Sequence, residues 1–241
     1  MIAAQAPVSV FATLDSTNEE AKRSAEAGDF GPRWILAGVQ TAGRGRRGRS
    51  WESPAGALFA TYLGSTPAPP QHLALLGFAA GLAVAEALDA AGAPGARLKW
   101  PNDVLLYGGK VAGVLLESSQ RPGGGQWFAL GIGVNLAAAP VGLDRPASGA
   151  GASVSPEAFL GLLAGALARH AGMLEHGDFQ ALRTAWLERA HGLGAMVSTQ
   201  VNGAQVSGVF ADLDPDGALA LDTVQGRVRI GAGEIYFPAE Q

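Results

Sequence analysis

The chain has 241 residues, a formal net charge of −4 and no cysteine. The length suits one large domain, or one domain with a small companion, and can bury a sizeable core. Without cysteine there are no disulfides, thiolate metal sites or cysteine nucleophiles, and a pI near 5.6 argues against a general nucleic-acid binder, which needs a broad basic face.

The opening MIAAQAPVSVFATLDS has no basic stretch ahead of its apolar residues and does not read as a signal peptide, so the expected setting is soluble and cytoplasmic. Residues 8–12 read as a short strand. Asp15, Ser16 and Thr17 then offer capping oxygens to a helix that ends near Gly28. Residues 34–39 are strand-like and run into QTAGRGRRGRSW, residues 40–51. That stretch gathers Arg44, Arg46, Arg47 and Arg49 among Gly43, Gly45 and Gly48. Glycines let backbone N–H groups approach an anion, and arginines add planar donors suited to carboxylate and phosphate. Three readings stand: a solvated basic loop, a nucleic-acid contact, or a clamp on a small polyanion. An empty glycine-rich loop is costly to order, so the clamp reading predicts a loop that is mobile until an anion neutralises it.

Residues 57–63 form another strand-like run, TPAPPQ a turn, and 71–91 a helix ended by Gly92 and Pro94. Glu86 and Asp89 mark that helix as buried and amphipathic, not membrane-spanning. Four strand-like runs follow, at 97–100, 104–107, 111–117 and 127–134, with YGGK as a hairpin turn. Residues 137–155 read as a loop, and 156–175 and 178–190 as helices. After Gly192 come short strands at 196–201, 205–210, 218–222, 227–230 and 234–237, separated by NG, DPDG and QG turns. They suggest a small barrel and a boundary near residue 193, giving units 1–193 and 194–241. Only Lys22, Lys99 and Lys110 of the 17 basic residues are lysines.

DSTN at 15–18, KWPNDVLL at 99–106, KVAGVLLE at 110–117 and GIGVNL at 131–136, with the Arg-Gly stretch, resemble the biotin–protein ligases in order and spacing. The resemblance covers roughly residues 8–190, and 194–241 is similar to the family's small C-terminal domain in length and position. It implies an α+β fold, a mixed sheet packed on helices as in class II synthetases, followed by an SH3-like barrel. It implies ATP-dependent biotinylation of one lysine on a biotin carboxyl carrier protein of a biotin-dependent carboxylase, through biotinyl-5′-adenylate. ATP, Mg²⁺ and biotin are the implied small molecules.

Such a reaction brings a carboxylate onto a triphosphate, so fixed cations are the main requirement. Arg44, Arg46 and Lys110 can supply them, and the resemblance puts Lys110 at the biotin carboxyl and the transferring phosphate. By the same match Ser16, Thr17, Asn18 and Gln40 bind the ureido ring, although STN before a helix is also an ordinary cap. Gly43 and Gly45 belong to the biotin-binding loop, and Gly113 with Gly131 or Gly133 would let the ligand lie against the sheet. Asn102 and Asp103 are either a turn or a site pair, with Asp103 orienting the acceptor lysine or helping organise Mg²⁺. Lys99 is structural or reaches the phosphates, Asn135 contacts the nucleotide, and Arg49 joins the phosphate clamp. No metal ligands are assigned.

Two departures are informative. Family members can stack an aromatic on adenine from the segment after the GIG-type strand, but none lies between Leu136 and Phe159; Trp51 could cover the nucleotide instead. Some members carry an N-terminal helix-turn-helix, and DSTN at residue 15 leaves no room for one, so sequence-specific DNA binding is not expected. No membrane contact is expected either, and monomer and homodimer both stay open. The rival enzyme is a lipoate or octanoyl–protein ligase, disfavoured by GRGRRGR and the polar STN/Gln40 set. The rival of another class is a non-enzymatic nucleic-acid binder using the Arg-Gly loop.

Overall fold

The structure, a computed structural model, describes residues 2–52, 54–140, 146–201 and 203–237. The larger of two sheets holds β1 (Val8–Leu14), β2 (Arg33–Gln40), β3 (Leu58–Thr66), β4 (Arg97–Lys99), β5 (Asp103–Leu106), β6 (Gly109–Gln120) and β7 (Gln126–Val134), in the order β1-β2-β3-β7-β6-β5-β4. β1 and β2 run parallel because the chain returns through a crossover helix, α1 (Thr17–Glu26). The remaining pairs are antiparallel, so the sheet is mixed. The smaller sheet is antiparallel throughout: β8 (Met196–Val201), β9 (Ala204–Leu213), β10 (Leu219–Thr223) and β11 (Gly226–Ile230). A mixed sheet on helices followed by a small antiparallel sheet is the expected fold class.

One face of the large sheet carries α3 (Leu76–Ala90) and α4 (Pro156–Glu175), with α5 (Phe179–Glu188) packed on both helices. A helix that is apolar all round must be buried on all sides, and Ala79, Ala80, Ala83, Val84, Ala85 and Leu88 of α3 are fully enclosed. The other face carries α1, whose Ala21 and Ala25 pack on Ile35, Leu63 and Ala129. β3 is therefore covered on both sides. That explains its nearly continuous apolar run where an exposed strand would alternate.

Two expectations change in detail. The helix foreseen over 71–91 is a single turn, α2 (Pro70–Leu73), followed by α3. Bonds from Leu75 to His72 and from Gly77 to Ala74 tighten the chain between them to a three-residue spacing. The strand foreseen at 234–237 is a lone bridge, Ser198 to Tyr236, and Glu234 pairs with Arg49 of the Arg-Gly loop. Asn202 of the NG turn and residues 141–145 of the loop foreseen at 137–155 lie outside the described residues.

The two sheets share one apolar core, in which Phe210, Leu219 and Ile230 join Trp100, Phe78 and Trp186. Trp100 Nε1 donates to the Gly217 carbonyl at 3.0 Å, and Arg183 Nε to the Leu213 carbonyl at 2.6 Å. Among the described residues no helix is long and apolar enough to cross a membrane.

Candidate active site

Register places the site. Three rows cross β3, β7 and β6: Phe59–Gly133–Gly113, Thr61–Gly131–Leu115, and Leu63–Ala129–Glu117. Alternate residues of a strand share a face, so all three rows face α1. The helix covers the third row through Ala21 and Ala25. Toward its N-terminus the two glycine-bearing rows floor a cavity of about 410 Å³, a size that suits a small molecule. A one-residue slip of register would turn this floor to the opposite face.

The end beside α1 is polar and neutral. Ser16 occupies the N-cap position, but its side chain makes no capping bond. The Ser16 N–H donates to Asp15 Oδ1, and the Arg23 guanidinium holds the Asp15 carboxyl down at about 2. The buried Ser16 hydroxyl is left to the cavity wall. Thr17 donates its N–H at 2.8 Å to Gln40 Oε1, and its Oγ1 lies 3.2 Å from the same oxygen, which leaves the amide N–H groups of Gln40 for the cavity. Thr61, fully buried, lies 2.8 Å from Thr17 Oγ1 and 2.6 Å from Asn18 Oδ1. A Cβ at Gly131 would overlap Asn18 Oδ1, so that glycine makes room for the protein's own amide.

The other end is cationic. Residues 43–51 fold as a hairpin: Trp51 N–H donates to the Gly43 carbonyl at 2.9 Å, Arg44 bridges Ser50, and Gly45 N–H donates to the Arg49 carbonyl at 2.7 Å. Arg47 turns the tip with φ of 57° and is not part of the cavity wall, whereas Arg44, Arg46 and Arg49 line it. Arg44 pairs with Glu19 and Glu117, and Arg49 with Glu234. Arg46 Nη1 donates to Asn102 Oδ1 at 3.1 Å, and Asn102 is itself fixed by a 2.7 Å bond to the Val114 carbonyl. Burial pushes the Arg46 guanidinium below its ordinary pKa, with the neighbouring Arg47 charge adding to it. An arriving anion would oppose both by favouring the charged form.

Lys110 is clamped by its backbone, whose N–H donates to the Pro146 carbonyl at 2.9 Å while its carbonyl accepts from Ser148 at 3.0 Å. Its amine lies 2.6 Å from Asp103 Oδ1 and 5.3 Å from the centre of the Trp51 ring. That indole lies over the Gly113–Gly133 pair: a Cβ at Gly133 would come within 2.7 Å of Trp51 Cε2, and one at Gly113 within 3.1 Å of Cζ3. Trp51 Nε1 is buried without a hydrogen-bond partner. So is Oδ1 of Asn135, although its Nδ2 reaches the Ser148 carbonyl at 3.2 Å.

The fold thus brings Ser16, Thr17, Asn18, Gln40, Arg44, Gly45, Arg46, Arg49, Trp51, Asn102, Lys110, Gly113, Gly131 and Asn135 to one cavity. Asp103 stands behind Lys110, and Gly43 forms the base of the hairpin. Lys99 is not in the wall; its amine sits 5.3 Å from the centre of the Phe237 ring. Thr61 was missed, and its signal was a single threonine inside the apolar run LFATYL.

A neutral polar pocket joined to a cluster of cations on one sheet face suits an enzyme site for an organic acid beside a phosphate. Residues 10–136 match the profile described as Biotin/lipoate A/B protein ligase family, and 192–237 the one described as Biotin protein ligase C terminal domain. The chain is 46% identical to the biotin–(acetyl-CoA-carboxylase) ligase of Paracoccus denitrificans, over 95% of this chain and 99% of that protein. It is 34% identical to the ligase of the same name from Mycobacterium tuberculosis, over 94% and 87%. The solved biotin protein ligase of Aquifex aeolicus in complex with biotin and ATP superposes with a TM-score of 0.80 at 26% identity, covering 95% of this chain and 97% of that one. The chain belongs to the biotin/lipoate A/B protein ligase family.

Proposed function

We propose that the protein is a biotin–protein ligase. It joins biotin to ATP as biotinyl-5′-adenylate and passes the biotinyl group to a lysine of a biotin carboxyl carrier domain. One observation carries this: a single cavity is lined by the neutral Ser16, Thr17, Asn18 and Gln40 beside α1 and by the cations Arg46 and Lys110 at its other end. Biotin has the same polarity, with a ureido ring at one end and a carboxylate at the other.

In the first step a biotin carboxylate oxygen bonds to the α-phosphorus, and the bond to pyrophosphate breaks. Lys110 and Arg46 stand at the cationic end of the cavity, where the negative charge of the reacting groups accumulates. Asp103, paired to Lys110, holds the ammonium in place. The orphaned Asn135 Oδ1 is an acceptor that fits an exocyclic amine such as adenine's. In the second step the acceptor amine attacks the acyl carbon, AMP leaves, and the amine loses a proton. Among the described residues no cluster of three metal-ligating side chains exists. Mg²⁺ would then arrive on the triphosphate, as that ion does when it keeps most of its waters, and offset phosphate charge there.

Calorimetry with biotin and with lipoate, followed by ATP-dependent labelling of a carrier domain, tests the proposal. Biotin binding and carrier labelling are expected. Lipoate binding with no biotin binding would move the chain to the other branch of its family. Salt-dependent binding of random oligonucleotides without either acid would return the loop to a nucleic-acid role.

A further inference from the structure

Glu117 ends the KVAGVLLE stretch, and no step above uses it. We propose that Glu117 is a positioning residue, tying the Asn18 amide at the neutral end of the cavity to Arg44 of the Arg-Gly hairpin. The assignment rests on the cavity being a biotin site.

The carboxylate touches both groups. Its Oε2 accepts from Asn18 Nδ2 at 2.8 Å, and its two oxygens lie 3.2 and 3.3 Å from Arg44 Nη2. Asn18 is almost wholly buried, and its other contacts are Thr61 Oγ1 at 2.6 Å and the Leu115 carbonyl at 3.4 Å. An asparagine amide can turn end for end, exchanging donor for acceptor. A carboxylate only accepts, so Glu117 fixes the NH₂ group on its own side and the carbonyl toward Thr61. The single Thr61 hydroxyl proton then goes to Asn18, which leaves Thr61 free to accept from Thr17. Thr17 in turn faces Gln40. One carboxylate in β6 therefore sets the donor–acceptor sense of Asn18, Thr61 and Thr17, next to the Gln40 amide. Without it the NH₂ group keeps only the long bond to Leu115.

The same carboxylate serves the hairpin. Arg44 lies between Glu117 and Glu19 and draws Gly43–Gly45 against the polar end of the cavity. Glu117 is about one-third exposed, at 36%, so its long-range charge is screened and its effect comes from the contacts themselves.

The test is calorimetric titration of biotin into wild type, Glu117→Gln and Glu117→Ala, with single-turnover adenylate formation at saturating biotin. Glu117→Gln keeps a carbonyl for Asn18; Glu117→Ala removes the acceptor. Loss of a hydrogen bond to a charged group should raise the biotin Kd of Glu117→Ala roughly tenfold, equivalent to about 1.4 kcal/mol. Glu117→Gln should stay within about threefold, less than half a decade in Kd. Saturated rates should change far less than Kd in both. A purely structural role would lower the melting temperature and leave Kd alone. If the alanine variant does not fold, Glu117→Thr replaces it on the strand with the same expectation. Unchanged Kd in the folded variant, or equal losses for Gln and Ala, overturns the proposal while the biotin reading stands. A wild type that binds no biotin overturns both.

Discussion

Lys110 shows how much of a site is backbone. Its N–H and carbonyl are held by Pro146 and Ser148, and its amine by Asp103, so the charge is fixed before any substrate arrives. Preorganised charge of this kind acts mainly in the transition state. Lys110→Ala is expected to slow adenylate formation by about 10²–10³, with little loss of stability because the side chain is partly exposed. Lys110→Arg should recover only part of the rate, since a planar fork must fit between Asp103, the Trp51 ring and Gly113. Single-turnover pyrophosphate release measures this. A near wild-type rate in Lys110→Ala would assign the essential cation elsewhere, with Arg46 the next to test.

The Arg-Gly hairpin is lightly held. It is closed by a few backbone bonds and by ion pairs of partly exposed arginines, which contribute little in water. An anion at Arg46 would add a charge-assisted contact of about 1.5–3 kcal/mol. Limited proteolysis should therefore cut within residues 43–51 in the apoprotein and be suppressed by biotinyl-adenylate; equal cutting would argue against the clamp. Glycines and arginines at short range made this loop legible, as did the strands flanking YGGK, where Tyr107 and Gly108 both take positive φ. Partners distant in sequence were not legible. Nothing local to Gly131 says that it makes way for Asn18, or that Thr61 stands behind Thr17. The lone bridge at Tyr236 was hidden for the same reason, since its partner Ser198 is distant in the sequence.

At the scale of the molecule, α3 and α4 meet beside His170, whose Nε2 lies 3.2 Å from Glu86 Oε2 and whose Nδ1 is buried without a partner. Burial holds its pKa below 6.5; Glu86 opposes the shift, and Arg169 and Arg189 reinforce it. The unfolded chain takes up this proton near pH 6.5, while the folded protein takes it up only at lower pH. Stability is therefore lost as pH falls below about 6.5 and stops falling once the folded group is also protonated. The melting temperature of wild type should drop more between about pH 7 and pH 5 than that of His170→Gln, and parallel curves would count against the assignment. The shared core has a mechanical consequence. β4 and β5 are very short, β4 is an edge strand, and short edges fray. Yet β4 is pinned by bonds between Leu98 and both Arg189 and His191, and Trp100, just beyond it, is tied to Gly217 of the small domain. The small sheet is thus a buttress. It ties the strand edge that leads into Asn102 and Asp103 to the small sheet, so a change that loosens the Gly217 turn is expected to loosen that edge with it.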